Sequence, residues 1–372
     1  MHPPTTPRPA APAGTDPAPA GTDPTAAVAD PTAASADPTA AERKDDHITM
    51  AFAAQTAAAD LDARFAYEPL LAAHPAPGSL AAVPFAGRRL AAPLWVSSMT
   101  GGTGRARRIN ANLARACREF GMGMGLGSCR SLLYDDARLA DFDMRDAIGD
   151  ELPLYANLGV AQLETLFAEG AAARIPALVD KLRADGLIVH VNPLQEWLQP
   201  EGDRFAERPL DTVLRVLEVA EFPVIVKEVG QGFGPASVRE LLRLPLAAIE
   251  FAAGGGTNFA KLELLRSDPV RQGIYRALER VGHSAAEMVG FVNDAVADLG
   301  EGEVRCGQVI ISGGVRDFLD GHYLRAKCAL PSVYGQASAF LRHATGDYEA
   351  LRSFVATQIR GLELAEAYLK VL

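Results

Sequence analysis

The sequence predicts an α/β fold, a (β/α)8 barrel preceded by a disordered N-terminal tail and by a segment over the barrel mouth. Three observations lead there. From about residue 90, eight short apolar runs alternate with stretches of helical periodicity, the pattern that repeated βα units leave in a sequence. Most runs recur at about 25 to 35 residues, and eight parallel strands is the number that closes such a barrel. Every run ends in a polar or glycine-rich segment, as the ligand-bearing end of a barrel should. A doubly wound open sheet is the alternative, and it would need a reason for so many equal units.

Residues 1–41 are almost entirely Ala, Pro, Thr, Gly and Asp, with Asp-Pro recurring at Asp16, Asp23, Asp30 and Asp37. Proline in each unit breaks a helix and no apolar seam runs through the repeat, so a disordered, mildly acidic tail is expected. It is neither Arg-rich like a transit peptide nor apolar like a secretory signal. Residues 42–90 are read as the segment covering the mouth and 91–372 as the barrel. Its strands are expected at 94–99, 122–126, 154–158, 187–191, 224–229, 248–252, 309–311 and 332–336. After the first, Ile109, Leu113, Ala116, Cys117 and Phe120 share one helical face; Val213, Leu214, Leu217 and Ala220 do so before the fifth. The longer interval before the seventh has room for an extra helix over 285–299.

The 372 residues are 48% hydrophobic and 22% charged, ordinary globular composition with ample core. A formal charge of −10 argues against a general nucleic-acid binder, which needs a surplus of Lys and Arg. Four scattered cysteines, with no Cys-x-x-Cys pair, suggest neither a disulfide framework nor a zinc site, so a reducing cytoplasm is the simplest home. No apolar run approaches the roughly 20 residues that span a bilayer.

The strand ends carry the chemistry. Gly313-Gly314 and the segment from Gly335 to Ser338 follow the last two strands, where barrels often hold phosphate against backbone N–H groups. Glycine lets the chain approach the oxygens, and Thr257 and Ser338 add hydroxyls, so a phosphate-bearing cofactor is expected. Lys227 ends an apolar strand; it is either a cation beside the cofactor ring or one half of an ion pair, with Glu228 for instance. Arg43, Lys44, Arg130 and His190 could form a second anion cluster suited to a diphosphate, although Arg43-Lys44 also reads as solvated surface charge. Glu196 could hold Mg2+, or be a rim carboxylate or helix-start acid.

The run Arg43-Lys44-Asp45-Asp46-His47-Ile48 is followed by Ser98-Met99-Thr100-Gly101-Gly102, Gly127-Ser128-Cys129-Arg130 and Ala156-Asn157-Leu158-Gly159. Then come His190 through Asn192, Gln195 and Glu196 to Pro200-Glu201-Gly202-Asp203-Arg204, the stretch 224–230 (VIVKEVG), and Gly255-Gly256-Thr257-Asn258-Phe259. In this order, from Arg43 to the C-terminus, the chain resembles the type 2, flavin-dependent isopentenyl diphosphate isomerases. The resemblance implies FMN held by Ser98, Met99, Thr100, Ser128, Asn157, Lys227, Thr257, Gly313, Gly314, Ala337 and Ser338. It puts the substrate diphosphate near Arg43, Lys44, Ser128, Cys129 and Arg130, lines the substrate with His190, Asn192 and Gln195, and places Glu196 on Mg2+. Cys129 stands where the family usually has Gln, and if it lies on the rim its thiol is open to oxidation; Ser98 stands where Ala is more usual, and Gln336 where Gly-Met-Ala is common.

The family's reaction implies reduced FMN as acid and base, Gln195 and His190 beside the reacting carbons, Lys227 against the ring, and NADPH as reductant. Homo-oligomers, tetramers or larger, are expected by the same resemblance, with a small prenyl diphosphate as partner and neither nucleic acid nor membrane. The alternative is an FMN-dependent oxidoreductase of the 2-hydroxy acid oxidase type, which would want a His base beside an Arg clamp. His322, inside an expected helix, reads as structural. A flavin binder without catalysis is a third reading, opposed by Gln195, Glu196 and the basic cluster.

Overall fold

The computed structural model describes residues 40–98, 100–300 and 302–372. The chain divides into two compact units, up to Leu61 and from Asp62 to Leu372. In the first, a helix spans Ala40–Met50 and a 3-10 turn Ala58–Asp60. The tail expected over 1–41 therefore ends in the start of a helix, and the rest of it lies outside the described residues.

The second unit opens with β1 (Phe65–Tyr67), β2 (Val83–Phe85) and β3 (Arg88–Leu90). Eight parallel strands follow: β4 (Leu94–Val96), β5 (Gly123–Gly125), β6 (Leu154–Gly159), β7 (Gly186–His190), β8 (Val224–Lys227), β9 (Ala248–Glu250), β10 (Val309–Ser312) and β11 (Ser332–Gln336). They pair in chain order and close as a barrel, with β11 beside β4. All eight expected strands are present. A last strand, β12 (Leu369–Val371), pairs antiparallel with β1.

Strands buried on both faces need continuous apolar sequence, and Leu154, Tyr155, Ala156, Leu187, Ile188, Val189, Ile225, Val226, Ile310 and Ile311 are all wholly buried. Large and small residues interlock inside. A Cβ on Gly123 would come within 2.2 Å of the Trp95 ring, so glycine there gives the indole its room; Trp95 in turn meets the Tyr155 ring edge-on at 5.9 Å.

Helix Gly104–Phe120 buries Ile109, Leu113, Ala116 and Cys117, as its spacing predicts. The extra helix is found at Ala285–Asp298, started by a Ser284/Glu287 capping box. In helix Pro209–Val219 the expected face is corrected. Thr212, Val213 and Val216 are buried there and Leu214 is exposed, because the inward stripe is rotated by about one residue.

Residues 83–90 do not cover the mouth. The β2–β3 hairpin joins the opposite end, where the Ala86 N–H donates to Gln308 Oε1 at 2.9 Å and Arg88 meets Asp185 at 2.7 Å. Gln308 and Asp185 immediately precede β10 and β7, so the hairpin seals the N-terminal end of the barrel, with Phe85 buried against Trp95 at 5.9 Å. Truncating this plug by Phe85→Ala is expected to cost about 3–5 kcal/mol in urea unfolding; a loss under about 1 kcal/mol would show that the hairpin carries no core load.

Candidate active site

The C-terminal ends of β4 and β8 to β11 surround a cavity of about 370 Å³. Of the residues expected to hold a cofactor, Ser98, Lys227, Thr257, Gly313, Gly314, Ala337 and Ser338 line it. Two glycine loops face each other across one end. Gly313 and Gly314 have φ of +86° and +70°, and a Cβ on Gly313 would lie 2.1 Å from the Ala253 carbonyl oxygen. Only glycine satisfies both the left-handed backbone and that approach.

Lys227 is buried, and its ammonium donates to the Glu228 carbonyl at 2.7 Å. The Glu228 carboxylate accepts instead from the N–H groups of Gly230, Gln231 and Gly232 at 2.6 to 2.9 Å; burial nevertheless raises its pKa. Lys227 therefore faces the cavity with no carboxylate among the described residues hydrogen-bonded to it.

Three of the expected cofactor residues stand off the cavity wall. The Thr100 hydroxyl donates to Asn110 at 2.8 Å. Asn157 is buried, its amide donating to the Leu126 carbonyl at 3.0 Å, and Ser128 is exposed. Met99 lies outside the described residues. Arg316 and Arg342, and the buried Ser97, Glu250, Ser312 and Gln336, also line the cavity; Ser97, Ser312 and Gln336 stand in the polar strand ends that the sequence marks, whereas Arg316, Arg342 and Glu250 were missed. Glu250 had a signal: it is a charge inside the apolar run 248–252, costly unless it meets a partner, the same argument that selects Lys227, and the two are register partners.

A second constellation stands at the ends of β6 and β7. His190 Nδ1 lies 2.7 Å from Asn157 Oδ1. Since the Asn157 amide nitrogen already donates to Leu126, its oxygen is the acceptor and the proton sits on His190 Nδ1. Burial, and then the charge of Lys227, push the His190 pKa from 6.5 down to about 3. With those neighbours the ring is neutral, which corrects its place among the expected basic groups.

Asn192 donates to Gln195 Oε1 at 3.2 Å and to Glu196 Oε1 at 3.0 Å. The other Glu196 oxygen accepts from the Asp203 N–H at 2.8 Å, so this buried carboxylate ties helix Pro193–Leu198 to the following loop. Arg130 and Gln162 both donate to Asp203 Oδ2 at 3.0 Å. Among the described residues no group of three or more His, Cys, Asp or Glu forms a cation cage. A magnesium ion fits Glu196 only as a single carboxylate that shares the ion with ligand phosphates.

Cys129 is corrected as well. Its thiol is wholly buried, burial raises its pKa to about 12, and Sγ lies 3.3 Å from the Gly127 carbonyl. It is neither an accessible thiol nor a side chain lining a ligand. Arg43 and Lys44 belong to the separate N-terminal unit, on helix Ala40–Met50.

The cavity fits the flavin nucleotide that the motifs imply. It joins a close-approach glycine end to a buried cation, and the Ser97 and Ser98 hydroxyls have no hydrogen-bond partner among the described residues.

No family model matches the chain. Among curated relatives, an isopentenyl-diphosphate delta-isomerase from Mycolicibacterium vanbaalenii is 38% identical over 63% of this chain, and the match spans 65% of that relative's length. The same-named protein of a Synechococcus strain is 36% identical over 75% of this chain and 77% of its own. That of Stutzerimonas stutzeri is 35% identical over the same shares. In fold, the chain is similar to a mandelate oxidase (TM-score 0.50, 15% identity, 83% of this chain and 88% of that one). It is also similar to a flavocytochrome b2 (TM-score 0.53, 12% identity, 82% and 72%).

Because its folded pKa is depressed, His190 contributes stability that is present above pH 6.5 and lost as pH falls toward about 3. The thermal midpoint of the wild-type chain should therefore fall more steeply between pH 7 and 4 than that of His190→Asn. Equal slopes would contradict the neutral imidazole.

Proposed function

The chain belongs to the family of isopentenyl-diphosphate delta-isomerases, and on that premise we propose that it converts isopentenyl diphosphate to dimethylallyl diphosphate with FMN, as in the type 2 branch its motifs resemble. The observation that carries this reading is the pairing, on one rim, of a glycine-ended cavity holding Lys227 with a separate set of polar groups, in which Asn157 holds His190 and Asn192 holds Gln195 and Glu196.

The reaction adds a proton to the terminal carbon of a double bond and removes one two carbons away. Reduced FMN, when bound, supplies the acid and base for this at its ring. Lys227 holds positive charge against the anionic ring, a preorganised electrostatic contribution that needs no reorganisation during reaction. Gln195, steadied by Asn192, lies beside the substrate carbons and helps a proton move. His190, with its proton fixed on Nδ1, offers Nε2 as an acceptor. Arg130 leaves its exposed pairing with Asp203, which costs little, to grip the diphosphate. Glu196 would hold Mg2+, which would supply positive charge for positioning the diphosphate.

NADPH serves as reductant and is not consumed at each turnover. The protein works in the cytoplasm as a homo-oligomer, a tetramer or larger. Among the described residues no helix is long and apolar enough to cross a membrane.

The test is an anaerobic assay with isopentenyl diphosphate, Mg2+, FMN and NADPH. Many dimethylallyl diphosphate molecules should form per NADPH oxidised, and Lys227→Met should lower kcat by about 100-fold or more. Absence of isomer, with NADPH or a 2-hydroxy acid oxidised in stoichiometric amount, would replace this reading with the oxidase.

A further inference from the structure

Glu250 ends β9 as a wholly buried carboxylate on the cavity wall. One oxygen is accounted for. The Ser312 hydroxyl accepts from the Ala252 N–H at 2.9 Å and lies 3.3 Å from Glu250 Oε1, to which it donates. The other oxygen, Oε2, has no hydrogen-bond partner among the described residues. An acceptor left unmade in a buried site is costly, more so when charged. The cation facing Glu250 in register, Lys227, donates its hydrogen bond to the Glu228 carbonyl.

Whatever meets Oε2 must therefore come from the ligand, and it must be a donor, because a carboxylate can only accept. That rules out a phosphate oxygen. The strand order makes the choice narrower. Lys227 stands on β8, Glu250 on β9, and Gly313-Gly314 follow β10, so Glu250 lies between the cation and the glycine end. A group there meets the linker of a flavin nucleotide, between ring and phosphate, and that linker carries hydroxyls.

We propose that Glu250 anchors the cofactor by accepting a hydrogen bond from one hydroxyl of the FMN ribityl chain, an inference that rests on the FMN reading above. Glu250 then selects a polyol-linked flavin, while Lys227 addresses the ring.

The experiment titrates the apo-protein, by flavin fluorescence, with FMN, with its 2′-, 3′- and 4′-deoxy analogues, and with N3-methyl-FMN. Wild type, Glu250→Leu and Glu250→Gln are compared, each with its apo thermal midpoint. Glu250→Leu should bind FMN roughly 10- to 100-fold more weakly with an apo midpoint equal to or above wild type, since the orphaned charge is gone. Wild type should lose a similar factor against one deoxy analogue, against which the variant loses nothing further. Glu250→Gln, which keeps a neutral partner, should fall between the two and carries the same comparison if the leucine variant does not fold. Wild-type FMN affinity in both variants, losses that multiply for all three deoxy analogues, or coupling to the N3-methyl group instead would overturn the assignment while leaving FMN binding intact. Failure of wild type to bind FMN would overturn both.

Discussion

The pairing of β11 with β4 sets Tyr334 opposite Leu94, Gly335 opposite Trp95 and Gln336 opposite Val96. This joins the last strand of the ring to the first. Closure leaves no free edge in the ring and buries both faces of every strand, which is why the strand sequences are nearly unbroken apolar text. It also forces eight C-terminal ends onto one rim. Residues as distant in sequence as Ser97 and Gln336 share a cavity wall only because this junction exists.

The rim divides into two halves with different electrostatics. On one side glycine loops, Lys227 and Glu250 surround a cavity; on the other, around β7, His190 is hydrogen-bonded to Asn157, and Asn192 to Gln195 and Glu196. The halves meet where His190 and Lys227 are register partners. The charge of Lys227 helps to keep His190 neutral, so one buried cation shapes both sides. A flavin held against Lys227 would present its ring toward the prenyl diphosphate site, the arrangement the proposed isomerisation needs.

Most of the barrel was legible because a strand buried on both faces has a compositional signature that survives without any neighbour information. The eight runs and the helix at Ala285–Asp298 follow from it. Other features depend on tertiary placement. Nothing local says that 83–90 seals the far end of the barrel, since that rests on Gln308 and Asp185, far away in sequence. Leu214 is misassigned because helix rotation is set by what the helix packs against. Cys129 stands beside exposed Ser128 and Arg130, yet its thiol turns inward. The glycine loops and Lys227 were found because strand-end chemistry is strongly patterned, whereas Glu250 was passed over although the Lys227 argument applied to it equally.

The central claim is that the glycine-ended cavity is the flavin site and the His190 cluster is the substrate site. A crystal structure of the chain with FMN and isopentenyl diphosphate bound tests it most directly. The account predicts the flavin phosphate between residues 254–257 and 313–314, its ring beside Lys227, and the diphosphate on the side of Arg130 and Glu196. A flavin bound elsewhere, or a diphosphate in the glycine-ended cavity, would contradict it.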